Sequence, residues 1–381
     1  MSPPELHGGD VTRMASELKC DPSELLDFSA NVNSRGLPPA ARAALIAAVQ
    51  SPALMLRYPD AGRHPLRRML AERFQVDGDC IVLGAGASAL IADAVRAIRP
   101  STCLLLTPAF AEYRRVSDAI GAHCLTMPLW APSTFKLPIG QVIDTLRRTR
   151  PDLLFLNNPH NPSGALTPAS DIRSILDAAE EARTTILLDE AFIDYAPQEQ
   201  LTAEAAGRSG LICIRSLTKF YGCPALRIGF AVARPSIAGR MEQQMPAWPL
   251  GSLAMEALAQ AIVDEEYATT TRQENELQRA LLITNLTGLG LFVYPSSTNF
   301  LLLKLPPSWP NSRELRTLLL RRHRILVRDC SSFENLEEAR HIRVAVLSAE
   351  SNKRLIAALD SCGQEFGRRF CETAIEEATR P

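Results

Sequence analysis

Short apolar runs alternate with longer stretches of helical periodicity through the first two-thirds of the chain. That alternation confines the chain to βαβ units and a largely parallel sheet. The runs Ile81–Leu83, Leu104–Leu106, Leu153–Leu156, Ile186–Leu188, Leu211–Ile214 and Ile228–Val232 are too brief for helices and rich in branched residues, as strands buried on both faces are. Between them, Ser88–Ile98 and Ala169–Arg183 repeat apolar residues at three- and four-residue spacing. Turns bearing Gly, Pro or polar residues follow several strands, at Gly84–Ser88, Pro108–Tyr113, Asn157–Gly164 and Ser216–Lys219. Ligands of open α/β sheets bind beyond the carboxyl ends of the strands, so chemistry is expected at these turns.

The pattern changes after Pro249. Leu253–Leu286 reads as one helix with a charged face, followed by strand-like Phe292–Tyr294, Phe300–Leu303, Ile325–Val327 and Ile342–Val346 and a helix near Ser351–Leu359. For 381 residues at about 150 per domain, this predicts an arm over residues 1–38, a large domain over 39–250 and a smaller α+β domain over 251–381. Cys362–Pro381, rich in Arg and Glu, reads as a terminal helix or a frayed end.

Charge narrows the function. Lys and Arg number 41 against 42 Asp and Glu, a formal net charge of -1, which offers no field for nucleic acid or an anionic membrane. No apolar run reaches the roughly 20 residues of a membrane helix, and the opening has neither the basic nor the apolar stretch of a secretory signal. Nine cysteines, an odd number with no C-x-x-C pair, argue against a disulfide framework and fit a reducing compartment, so a cytoplasmic location is expected. The six histidines are dispersed, none with Cys or Glu at ligand spacing, and no metal site is expected.

Only five lysines occur: Lys19, Lys136, Lys219, Lys304 and Lys353. Lys219 alone closes a turn directly after a strand. An amine there can form a Schiff base, which a guanidinium cannot; the bland alternative is a solvated surface lysine. Asp189 ends the apolar strand after Thr185, and a carboxylate placed there is costly unless paired. A protonated pyridine nitrogen is one such partner, a helix cap the ordinary one. Asn161, within Asn157-Asn158-Pro159-His160-Asn161-Pro162-Ser163-Gly164, could offer a carboxamide to a ring oxygen, although a structural turn explains the prolines equally well. Gly84–Ser88 opens a helix and suits an anion, with Ser216 and Arg227 near enough in sequence to Lys219 to join it. Tyr113 could stack on a ligand ring or be an ordinary core aromatic.

Together these residues resemble the fold-type I pyridoxal-phosphate enzymes, in the branch of the histidinol-phosphate aminotransferases. They are most similar to its decarboxylase members, which act on L-threonine O-3-phosphate in cobalamin biosynthesis. The resemblance spans nearly the whole length and includes His7-Gly8-Gly9, Asp27-Phe28-Ser29-Ala30-Asn31-Val32-Asn33, Arg57-Tyr58-Pro59-Asp60, Asp189-Glu190-Ala191-Phe192 and Ser216–Tyr221. It implies pyridoxal 5'-phosphate as cofactor, Lys219 as its Schiff-base lysine, Asp189 on the pyridine nitrogen, Asn161 on O3′ and Tyr113 stacked over the ring. It implies Ser216, Arg227 and the amides near Ala85 and Gly86 on the cofactor phosphate, with Tyr58 arriving from the second subunit of a homodimer. It also implies Arg343 on the substrate carboxylate, and Arg328 with His7 and Asn33 near the substrate phosphate; an ordinary ion pair is the alternative for either arginine.

Three departures bear on the reaction. Phe192 stands where aminotransferases of the branch carry Tyr, which favours the decarboxylase members. His160 replaces a usual Asn, and Gln244–Pro249 is one residue longer than the pattern. Transamination, decarboxylation of L-serine O-phosphate, and a non-catalytic binding protein that keeps the fold remain the competing readings.

Overall fold

The computed structural model describes residues 8–60 and 64–378, so His7 lies outside the described residues. By contacts the chain forms two units. The larger comprises Val32–Asn161 and Ala165–Arg272; the smaller comprises Met1–Asn31, Pro162–Gly164 and Gln273–Pro381.

The larger unit is built on seven strands: β1 (Ile81–Gly84), β2 (Thr102–Thr107), β3 (His123–Pro128), β4 (Leu153–Asn157), β5 (Thr185–Asp189), β6 (Leu211–Ser216) and β7 (Gly229–Ala233). Their spatial order is β1-β7-β6-β5-β4-β2-β3. β7 runs antiparallel to both its neighbours and every other pair is parallel. Val82, Leu105, Phe155, Leu187 and Ile212 from neighbouring strands pack with Leu90, Ile91 and Val95 of helix Ala87–Ile98. Each such fully buried side chain stabilises by about 1.5–3 kcal/mol, which is why short apolar runs suffice to specify these strands. β3 escapes the sequence pattern because it is an edge strand, mostly part-exposed and carrying His and Thr.

Leu253–Leu286 is two helices rather than the one expected, Ser252–Ala261 and Glu265–Gly288. Asp264 makes the break: its Oδ1 accepts the Tyr267 N–H at 2.9 Å, starting a new helix. Helix Ser252–Ala261 packs on helix Pro39–Gln50, so the residues just after Pro249 belong by contact with the larger unit. The division falls inside Glu265–Gly288.

The smaller unit holds β8 (Phe292–Val293), β9 (Phe300–Lys304), β10 (Arg328–Asp329) and β11 (His341–Ala345), antiparallel in the order β10-β11-β9-β8. Leu26–Asp27 pairs parallel with Ile325–Leu326, and Phe28 is wholly buried among Leu301, Ile342 and Val344. The contacts therefore group the chain differently from the arm, large and small partition. Of the stretch expected as an arm, the described residues as far as Asn31 group with the smaller unit and hold helix Val11–Leu18 and the two-residue strand Leu26–Asp27, while Val32 onward groups with the larger unit. Among the described residues, no helix is long and apolar enough to cross a membrane.

Candidate active site

Three adjacent strands of the larger unit end together and deliver the residues read from the sequence. Asp189, the last residue of β5, is buried; its Oδ1 accepts the Ala191 N–H at 3.0 Å and its Oδ2 accepts the Tyr113 hydroxyl at 2.6 Å. Burial pushes this carboxyl above the ordinary carboxylate range, and the charge of Lys219 is among the influences that oppose it. Lys219 lies half-buried on the helical turn Leu217–Phe220, directly after β6.

Asn161 is placed by a residue that sequence reasoning missed. Asn157, at the end of β4, donates its Nδ2 to the Asp189 carbonyl at 2.8 Å and accepts the Asn161 N–H on Oδ1 at 2.7 Å. One carboxamide thus ties the Asn161 backbone to the Asp189 strand. Asn158 closes the same turn, accepting the Thr167 N–H at 2.9 Å and donating to its carbonyl at 3.0 Å. His160, whose role the sequence left open, is buried, and burial pulls its imidazole down to about 4. It is therefore neutral near pH 7, and its Nε2 lies 2.9 Å from the Pro108 carbonyl, joining this turn to the Pro108–Tyr113 turn.

The other end of the cluster suits an anion. Gly86 caps helix Ala87–Ile98 with no side chain, at φ 87°. A Cβ there would lie 2.9 Å from Nη2 of Arg227, so guanidinium and helix N-terminus share one small space that only glycine leaves open. Gly229 is needed for a similar reason, since its Cβ would meet the Arg215 carbonyl at 2.5 Å. Ser216 Oγ and Thr218 Oγ1, both on buried residues, lie 3.0 Å apart; Thr218 was not singled out from the sequence. Hydroxyls, a guanidinium and a helix N-terminus fit a phosphate, while a buried carboxylate fits a protonated ring nitrogen. The donor set matches a ligand carrying both.

Tyr113 and Asn33 make contacts other than those expected of them. The ring of Tyr113 is sealed in the wall, stacked on Phe155 with centroids 4.8 Å apart, and its hydroxyl is committed to Asp189. The half-buried aromatic of that turn is Phe110, edge-on to Tyr113 at 5.7 Å. Asn33, expected near a substrate phosphate, clamps the lysine turn instead. Its Nδ2 donates to the Phe220 carbonyl at 2.8 Å and the Tyr267 hydroxyl at 3.0 Å, its Oδ1 accepts the Arg35 N–H, and its own N–H reaches the Lys219 carbonyl. A carboxamide so engaged has little left for a ligand. Tyr58 is exposed and stacked on Trp248 at 4.1 Å.

In the smaller unit, Arg328 and Arg343 face each other directly across β10 and β11, both buried. Arg328 donates to Ser332 Oγ at 2.7 Å and Arg343 to the Ser29 carbonyl at 3.2 Å. Burial above all, with the charge of Arg328 adding, pulls the Arg343 guanidinium down to about 10. Asn31, passed over in favour of Asn33, is buried there with no hydrogen-bond partner for its Oδ1 among the described residues.

The model of the family described as aminotransferase class I and II matches residues 23–359. The chain belongs to that family. It is 35% identical over 358 residues to a threonine-phosphate decarboxylase of Salmonella typhimurium, covering 93% of this chain and 95% of that protein. It is 30% identical over 365 residues to the adenosylcobalamin biosynthesis bifunctional protein CobDQ of Leptospira interrogans; that match takes in 95% of this chain but only 41% of the longer relative. Among solved structures, histidinol-phosphate aminotransferase from Sinorhizobium meliloti in complex with pyridoxal-5'-phosphate shares the fold. Its TM-score is 0.84 at 21% identity, covering 94% of this chain and 95% of that one.

Proposed function

We propose that this chain is a pyridoxal-5'-phosphate enzyme that decarboxylates L-threonine O-3-phosphate to (R)-1-amino-2-propanol O-2-phosphate, within cobalamin biosynthesis. Family membership and the donor set at the ends of β5 and β6 support the cofactor. Lys219 would carry it covalently, with Asp189 on its ring nitrogen, Asn161 on O3′, and Ser216, Arg227 and the backbone of Ala85 and Gly86 on its phosphate. Bound there, the cofactor supplies an electron sink conjugated to the substrate Cα.

The rest of the chemistry falls to the chain's own side chains. Asp189 keeps the ring nitrogen protonated, and the Lys219 amine moves the proton that Cα receives after CO₂ leaves. Arg343 holds the substrate carboxylate and Arg328 the substrate phosphate. These grips decide which Cα substituent lies perpendicular to the ring, and so whether carboxylate or hydrogen is lost.

The observation that carries the substrate class is the pair of buried guanidiniums opposed across β10 and β11. Two like charges so placed favour a ligand with two anionic groups, as a phospho-amino acid has. The choice of decarboxylation is supported by the match to the Salmonella typhimurium enzyme along nearly the full length of both chains. It is supported also by Phe192, a buried ring with no phenol where the aminotransferase branch has one. Histidinol-phosphate aminotransferase is the second reading, supported by relatives of that name at 27–30% identity; L-serine O-phosphate is the near substrate variant.

Purified protein incubated with pyridoxal phosphate and L-threonine O-3-phosphate should release CO₂ with no oxoacid present. Turnover that requires 2-oxoglutarate and releases no CO₂ would defeat the decarboxylase reading. The same assay with L-serine O-phosphate ranks the two substrates.

A further inference from the structure

A buried tyrosine sits behind the carboxylate on which the proposed chemistry turns. The Tyr113 hydroxyl donates to Asp189 Oδ2 at 2.6 Å, and the opposite oxygen takes the Ala191 N–H at 3.0 Å. A carboxylate offers about four lone-pair sites, so one donor on each oxygen fixes the plane of the group and leaves acceptor capacity on both. The donor is itself immobile. Its ring stacks on Phe155 at 15° between planes, Phe110 abuts it edge-on, and its carbonyl accepts Ser117 Oγ at 2.8 Å.

We propose that Tyr113 is a positioning residue for Asp189: through its hydroxyl it holds the carboxylate ionised and in the orientation that receives the cofactor's ring nitrogen. This rests on the cofactor reading above and gives Tyr113 a task different from stacking over a ligand ring. The physical need is plain. Burial above all opposes ionisation of Asp189, with the charge of Glu190 adding, while the Tyr113 phenol, the Ala191 amide and the charge of Lys219 favour it. Of these, Tyr113 supplies the shortest hydrogen bond. The phenol stays protonated because burial, then the charge of Asp189, pushes it well above its usual range. It is therefore a donor across the whole working range, and a hydrogen bond to the charged form of an acid favours that form.

Tyr113→Phe removes one oxygen and keeps the stacked ring. The probe is pyridoxal phosphate added to the cofactor-stripped protein. Wild type should develop a visible band near about 400 nm that Lys219→Ala lacks; absence of that band in wild type defeats the cofactor reading and this inference with it. Given the band, Tyr113→Phe should raise the dissociation constant for pyridoxal phosphate about tenfold, the size expected for losing a hydrogen bond to a charged group, and shift the pH titration of the band. In an Asp189→Asn background the same substitution should change neither. A folded Tyr113→Phe protein that binds within about twofold of wild type, with a superimposable titration, overturns the inference while leaving the cofactor reading intact. Should the Phe variant fail to fold, Tyr113→His, which restores a donor, should bind more tightly than Tyr113→Leu, and equal binding by the two would overturn it.

Discussion

Gly86 shows how much of a site can rest on one absent side chain. Its φ of 87° and ψ of 168° lie where L-residues are strained, at a cost of order 1–3 kcal/mol, and a Cβ would also press on the Arg227 guanidinium at 2.9 Å. The two effects separate by comparison with Gly121, which has φ 74° and open space around a would-be Cβ. Gly121→Ala should lower stability by about 1 kcal/mol and leave cofactor affinity unchanged. Gly86→Ala should lower stability by about 1–3 kcal/mol and also weaken pyridoxal phosphate binding tenfold or more, since the guanidinium must move. Urea denaturation and spectroscopic titration read the two quantities. Equal cofactor affinity in both variants would remove Arg227 and Gly86 from the phosphate site.

At the scale of elements, the ends of β5 and β6 are held in step by a buried polar network. Glu190, wholly buried just after β5, accepts the Leu201 N–H at 2.6 Å, the Thr202 hydroxyl and Cys213 Sγ at 3.0 Å. Arg215 on β6 bonds Thr202 and Asp194 and lies 3.8 Å from Glu190. Asp189 and Lys219 flank this network in sequence, so it fixes the stagger of β5, which ends in Asp189, against β6, which leads into the Lys219 turn. Glu190→Ala should cost about 3 kcal/mol in urea denaturation, because three donors and a buried cation lose their acceptor; a loss under about 1 kcal/mol would show the network to be redundant. Elements with one strong local signal were legible in the sequence: the apolar runs of the sheet, the lysine after β6, the carboxylate that ends β5. What was hidden depends on partners distant in the chain. Asn157 and Thr218 resemble ordinary turn residues until their neighbours are known. Asn33 and Asn31 lie two residues apart, and only packing tells that the first clamps the lysine turn while the second belongs to the smaller unit. Tyr113 shares its turn with Phe110, and no local pattern says which ring is sealed in. The break at Asp264 interrupts an amphipathic pattern that continues on both sides, so periodicity alone ran through it.

On the whole molecule, the larger unit leaves apolar side chains in water along one stretch of sequence: Ile46 and Val49 on helix Pro39–Gln50, then Met55, Leu56 and Tyr58, with Trp248 stacked on the last. Leu56 is 85% and Tyr58 76% exposed, unusual for side chains that lose about 25 cal/mol for every Å² of apolar surface left in water. A second copy of the chain, bringing the partner subunit's Tyr58 to the cofactor phosphate, would cover such a patch and complete the proposed site. The wild-type protein should therefore sediment as a dimer at micromolar concentration. Leu56→Glu places a charge in that contact and touches nothing in the proposed catalytic machinery, so it should shift the population to monomer. If Tyr58 acts across the interface, cofactor affinity should fall with dimer content and recover as protein concentration is raised. A Leu56→Glu protein that is monomeric yet binds pyridoxal phosphate as tightly as wild type would detach Tyr58 from the site, and a wild type that sediments as a monomer would leave the patch without the partner proposed for it.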